Sequence, residues 1–238
     1  MSEEQRGVLV TGGTGALGRS VVERFLASGD RVHVSWLVEE ELAALESFLG
    51  EDFSRVRLHE ADLTREEDVR ELFGAIGAAG GLSVSAHIVG GFAYASLEDT
   101  DTATWHRMLE MNATTCFLCC RAAAGLMAGA GGSIINVSAV PALLGGAAYM
   151  GAYSAAKAAV LNLTESLARE LAPARISVNA IAPSIIDTPA NREAMPDADT
   201  SSWLSPAEIA AVIGFLASPE GRIVTGSALA LAGSRPLE

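Results

Sequence analysis

Short, continuously apolar runs alternate with longer amphipathic ones along the whole chain, and that rhythm leaves few folds open. Residues 8–11 precede 16–28, 31–37 precede 39–49, and 56–59 precede 65–76. The alternation continues through 83–89, 103–127, 133–138, 153–171, 176–181, 206–216 and 228–231. Strands of this length separated by helices need crossover connections, and strands covered on both faces read as unbroken apolar runs. The pattern predicts an α/β fold, a doubly wound parallel sheet with helices on both faces. With 238 residues, half of them hydrophobic, the chain can bury one large core, so a single domain over 1–238 is expected. The most irregular stretch, about 185–205, is too short for a domain and has the size of a substrate lid.

Composition removes several function classes. Asp and Glu number 29 against 16 Lys and Arg, a net charge of -13, which repels a phosphate backbone, so no nucleic-acid partner is expected. The Met1–Arg6 stretch is acidic and polar, unlike a secretory signal, and a cytoplasmic location follows as the expectation. Residues 122–156 carry no charge, but Gly131, Gly132, Asn136, Ser138 and Pro141 break the stretch into helix end, strand and loop, so no membrane span is expected. Cys116, Cys119 and Cys120 sit within five residues of one another, a spacing that suits neither a disulfide framework nor a closed zinc site. They read as buried thiols, with no metal site expected.

Val8-Leu9-Val10 leads directly into Thr11-Gly12-Gly13-Thr14-Gly15-Ala16-Leu17-Gly18 and then a helix. Glycines let the backbone turn tightly and approach a pyrophosphate, whose charge meets the free N–H groups at the helix start. Strand, glycines and helix in that order point to a dinucleotide. The second strand ends Val34-Ser35-Trp36-Leu37-Val38, without the acidic residue that binds a ribose hydroxyl or the basic one that binds a 2′-phosphate; Glu39 falls late. NAD and NADP both remain open. Asp62 can accept from an adenine amino group or cap the next helix.

Arginine occurs 15 times and lysine once. That lysine, Lys157, lies four residues after Tyr153, one of three tyrosines, so the two share a helix face one turn apart. A phenol with a pKa near ~10 works as an acid or base at neutral pH only if a cation stabilises its anion. Lys157 is expected to lower it. Ser138 ends an apolar strand at the carboxyl edge, where a hydroxyl can bond a substrate oxygen or cap a loop. Asn112 interrupts a helix and can hold a water in a proton path or pin neighbouring backbone.

Together these residues resemble the short-chain dehydrogenase/reductase family over essentially the whole chain, through the glycine motif, Asp62, Asn112, Ser138, Tyr153 with Lys157, and the 182–188 segment. The resemblance implies an NAD(P)-dependent oxidoreductase with a Rossmann fold, passing hydride between nicotinamide and a carbonyl or alcohol. Its implied catalytic set is Asn112, Ser138, Tyr153 and Lys157. Gly12, Thr14, Gly15, Leu17, Gly18, Trp36, Asp62, Leu63, Gly90, Tyr153, Lys157, Pro183, Ile186 and Thr188 would hold the cofactor. Ser138, Val140, Tyr149, Arg192 and Trp203 would meet the substrate, the last two from the lid. A homodimer or homotetramer is implied. The 187–203 segment and Gly90-Gly91-Phe92 further resemble dihydropteridine reductases, giving quinonoid pterin reduction as the alternative activity; those enzymes generally lack the serine retained here as Ser138. A subunit that only senses NAD(P) is a third possibility, against which the intact Asn112, Ser138, Tyr153 and Lys157 set argues.

Overall fold

The computed structural model describes residues 5–233; most of the acidic N-terminal stretch read above, residues 1–4, lies outside them. The chain runs β1 (Gly7–Thr11), α1 (Ala16–Ala27), β2 (Arg31–Trp36), α2 (Glu39–Leu49), β3 (Arg57–Glu60), α3 (Glu66–Ala78), β4 (Val84–His87), α4 (Thr102–Met108), α5 (Thr115–Met127) and β5 (Gly132–Val137). It continues through α6 (Val140–Leu143), α7 (Gly151–Leu171), β6 (Ile176–Pro183), α8 (Pro189–Ala194), α9 (Pro206–Leu216) and β7 (Ala228–Leu231). The seven strands form one parallel sheet in the order β3-β2-β1-β4-β5-β6-β7. Strand order reverses between β1 and β4, which opens a crevice at their carboxyl ends.

Each face of the sheet is closed by a helical layer. Phe25, Leu45 and Ile213 from α1, α2 and α9 pack on one side, against Val10, Val34 and Ile181. Val69, Cys120 and Val160 from α3, α5 and α7 pack on the other, against Leu9, Ile134 and Val178. This two-sided burial is why the strands read as continuous apolar runs. Among the described residues, no helix is long and apolar enough to cross a membrane.

One expectation is corrected and one is refined. The helix over 103–127 is not continuous: a π-helical turn at Leu109–Thr114 separates α4 from α5. The buried amide of Asn112 sits in that turn, accepting from Gly91 N and donating to Gly91 O and Met108 O. Such turns reposition one residue within a helix. The 185–205 stretch is mostly loop and turn, as expected, but holds two short helical pieces. Thr188 caps α8 by accepting from Asn191 N, and a 3-10 turn follows at Thr200–Ser202.

Candidate active site

The glycine turn is closed by contacts too tight for a side chain. Gly12 has φ +61, and a Cβ there would lie 2.9 Å from Val89 Cγ2; a Cβ on Gly18 would lie 2.1 Å from Gly12 O. α1 is thereby drawn directly beneath the turn, with its first N–H groups at the crevice. Thr11 closes the other side, its Oγ1 accepting from Ile88 N (3.0 Å) and Val89 N (3.3 Å), which fixes the exit of β4.

Beside this turn lies a cleft of about 160 Å³, lined by Gly12, Thr14, Trp36, Asp62 and Leu63 of the expected cofactor set. It also exposes Glu41, which sequence reasoning missed. Glu41 lies in the first turn of α2 and accepts a hydrogen bond from Thr14 Oγ1 at 2.8 Å. The run Glu39-Glu40-Glu41 was the available signal: on a helix only one of three consecutive residues turns fully toward the strand end. Asp62 acts as the turn cap, its Oδ1 accepting from Thr64 N and Thr64 Oγ1, while it also faces the cleft.

At the reactive end, α7 presents Tyr153 and Lys157 one turn apart, with the Lys157 ammonium 6.0 Å from the Tyr153 ring centroid. Lys157 is buried and donates to Val137 O at 2.8 Å. Gly90 packs on this ammonium and on Asn112: a Cβ there would lie 2.9 Å from Lys157 Nζ and 2.6 Å from Asn112 Oδ1. Burial pushes Lys157 down to about 8 and Tyr153 up to about 12. The expected lowering of the phenol by Lys157 is therefore absent from the protein alone. Desolvation of the phenolate outweighs a cation whose bonded partner is a carbonyl.

The Ser138 hydroxyl is buried and donates at 2.9 Å to the main-chain carbonyl of Lys157, which ties β5 to α7 and leaves its oxygen lone pairs as acceptors. Val140 is buried at the start of α6. Tyr149 is exposed, with φ +63, and its ring lies 5.4 Å from that of Tyr94. Phe92 meets Tyr153 edge-on at 5.0 Å. The β4–β5 and β5–β6 crossovers thus meet through two aromatic pairs, Phe92 with Tyr153 and Tyr94 with Tyr149, neither visible in the sequence.

The substrate contacts expected of the lid are not free. Trp203 is 7% exposed and packed into the body, and Arg192 forms a two-armed ion pair with Asp187 that raises the guanidinium and lowers the carboxyl. The base of the segment is stapled by Leu204 N to Ile185 O and Asp187 N to Leu204 O. Pro183, Ile186 and Thr188 follow from the carboxyl end of β6, with Ile186 bridged to Leu204. A second cavity of about 250 Å³, between α9 and β7, contains none of the expected site residues.

The family described as enoyl-(acyl carrier protein) reductase matches residues 13–233. The chain is 32% identical to a 3beta-hydroxysteroid dehydrogenase of Mediterraneibacter gnavus, covering 97% of this chain and 94% of that protein. A short-chain type dehydrogenase/reductase from Mycobacterium ulcerans superposes with a TM-score of 0.88 at 26% identity, covering 97% of this chain and 89% of the other. ElxO, solved with NADP bound, superposes with a TM-score of 0.87 at 25% identity, covering 96% of this chain and 97% of the other.

Proposed function

The chain belongs to the short-chain dehydrogenase/reductase family, and on that premise we propose an NAD(P)-dependent oxidoreductase acting between a carbonyl and an alcohol, with Tyr153 exchanging the proton. The observation that carries the reading is Lys157, the chain's only lysine, buried beside Tyr153, Asn112 and Gly90 at the crevice. An ammonium has three donors, and Val137 O takes one of them. A buried cation with donors to spare suits the ribose hydroxyls of a dinucleotide, and the turn around Gly12 and Gly18 suits its pyrophosphate.

When bound, the nicotinamide supplies the hydride-carrying carbon. Gly12, Thr14, Gly15, Leu17 and Gly18 would hold its phosphates, Trp36, Asp62 and Leu63 its adenosine, Gly90, Tyr153 and Lys157 its second ribose, and Pro183, Ile186 and Thr188 its amide. Glu41 in the adenosine cleft favours NAD over NADP, because a carboxylate repels a 2′-phosphate and accepts from a 2′-hydroxyl. Tyr153, held protonated by burial in the protein alone, is placed to exchange its proton with the oxygen of a carbonyl or alcohol. Asn112 keeps the Gly90–Gly91 backbone in place beneath that proton path.

The mouth selects for shape. Phe92, edge-on to Tyr153, and the Tyr94–Tyr149 pair, carried by the same two crossovers, would form an aromatic wall that favours a ring-shaped substrate. Quinonoid dihydropterin reduction is the second reading; the Ser138 hydroxyl, bonded to Lys157 O, does not decide between it and a carbonyl.

The test follows NADH and NADPH oxidation with ring ketones, small aliphatic ketones and a quinonoid dihydropterin. Tyr153→Phe is expected to leave cofactor affinity nearly intact, since Gly90 and Lys157 still meet the ribose, and to lower turnover by about 100-fold or more, the usual contribution of a positioned acid. Turnover near the parent's would refute the assignment.

A further inference from the structure

We propose that His87, Cys116 and Cys120 form a buried structural site for one Zn²⁺ ion, wedged between β4, β5 and α5. The two cysteines stand one turn apart on α5, and their Sγ atoms are 4.0 Å apart. His87 ends β4 and brings its Nδ1 to 3.6 Å from Cys120 Sγ. All three ligand atoms lie within 4.8 Å of one another, and all three side chains are buried.

A tetrahedral Zn²⁺ with Zn–S near ~2.3 Å and Zn–N near ~2.0 Å spans S···S of roughly 3.8 Å and S···N of roughly 3.5 Å. The Cys116–Cys120 and Cys120–His87 pairs lie within a few tenths of an ångström of those spacings, and the Cys116–His87 pair, held within 4.8 Å, closes as the ion is seated.

The fourth direction is also built. Asn136 donates its amide to Thr164 Oγ1 at 2.9 Å, which turns its Oδ1 toward the cluster, 2.8 Å from His87 Nδ1 and 3.4 Å from Cys120 Sγ. Behind the imidazole, Ser85 Oγ lies 2.8 Å from His87 Nε2. With Nδ1 on the ion, Nε2 carries the proton and donates it to Ser85, the outer-shell arrangement that fixes a ligating histidine's tautomer. Without the ion, Nδ1–H donates to Asn136, so the same side chains close a hydrogen-bonded core.

Charge selects the ion. Two thiolates and a neutral imidazole cancel Zn²⁺, whereas Cu⁺ would leave an uncompensated negative charge inside the sheet, and hard ions prefer oxygen ligands. Binding is Zn²⁺ + 2 RSH → Zn(SR)₂ + 2 H⁺, with the released protons passing to buffer. Cys119, adjacent in sequence, is buried outside the cluster. The site touches no reacting atom. It underlies the reactive end, because Asn136 precedes Val137, whose carbonyl holds Lys157, and His87 precedes the turn to Gly90.

The test refolds the full chain from denaturant with Zn²⁺ or with chelator, removes free metal and measures bound zinc by mass spectrometry. One Zn²⁺ per chain is expected in the parent and in Cys119→Ala, with background content in Cys116→Ala and Cys120→Ala. Co²⁺ should give a thiolate charge-transfer band in the first two proteins alone. A parent that refolds with Zn²⁺ yet retains none, or equal retention in the Cys116→Ala/Cys120→Ala double variant, overturns the proposal. Should the alanine variants not fold, the parent decides: Zn²⁺ must raise its melting temperature over the chelator-treated sample, and no rise overturns the site.

Discussion

Gly90→Ala probes the reactive end with a single methyl group. The added Cβ would lie 2.6 Å from Asn112 Oδ1 and 2.9 Å from Lys157 Nζ. Reaching ordinary contact at about 3.4 Å requires retreats of about 0.8 Å and 0.5 Å. Neither group has slack: Asn112 is held by Gly91 N, Gly91 O and Met108 O, and Lys157 by Val137 O. A misplacement on the order of 1 Å in catalytic geometry costs about 100-fold in rate. Overpacking of this size costs about 1–3 kcal/mol of stability, and each kcal/mol lowers the melting temperature of a chain this long by roughly 2–4 °C. The expectation is therefore a kcat lowered about 100-fold in a protein that remains folded at assay temperature. Gly91→Ala is the control, since its Cβ would meet the flexible end of Met111, Cε at 2.8 Å, which can swing aside. Ketone reduction with NADH and calorimetry are run on both variants. A Gly90→Ala enzyme with kcat within about twofold of the parent, or a Gly91→Ala enzyme equally impaired, would refute the claim that Gly90 sets the position of Lys157.

Three further outcomes are expected. Tyr149→Gly relieves a left-handed backbone that costs an L-residue roughly 1–2 kcal/mol, so the melting temperature should hold or rise while KM for a ring ketone increases; a drop in melting temperature with KM unchanged counts against the aromatic wall. His33, buried and stacked on His59, is pushed down to about 4 by desolvation and then by His59 and neighbouring arginines. Its unfolded form takes up a proton near pH 6.5 while the folded form does not, so stability is complete above that pH and falls by up to about 3 kcal/mol as pH drops toward 4. Urea titrations of His33→Val should lose that part of the slope, and an unchanged slope removes the assignment. The exposed Trp105 and Phe117 beside α5 suit a subunit contact, and light scattering should find a dimer or tetramer; a stable monomer at micromolar concentration rejects it.

The sequence by itself determined the order and type of the main elements, because burial on both faces writes a parallel strand as an unbroken apolar run and the covering helices as amphipathic ones. It also marked the glycine turn and the Tyr153–Lys157 pair, since both depend on spacing within a single turn or helix. What it could not carry were orientations and long-range neighbours. Ser138 sits at the predicted strand end, yet only the packing of β5 on α7 turns its hydroxyl to Lys157 O. Glu41 was hidden in a run of three glutamates until the start of α2 was set against Thr14. Trp203 reads as a lid aromatic and Arg192 as a free cation until tertiary packing buries one and pairs the other. His87 lies 29 residues from Cys116, and only the β4–β5 register places it beside Asn136 and the α5 thiols. Local spacing records one element's periodicity; which side chains meet across elements is decided when the sheet twists, the helices dock and each buried polar group must find a partner.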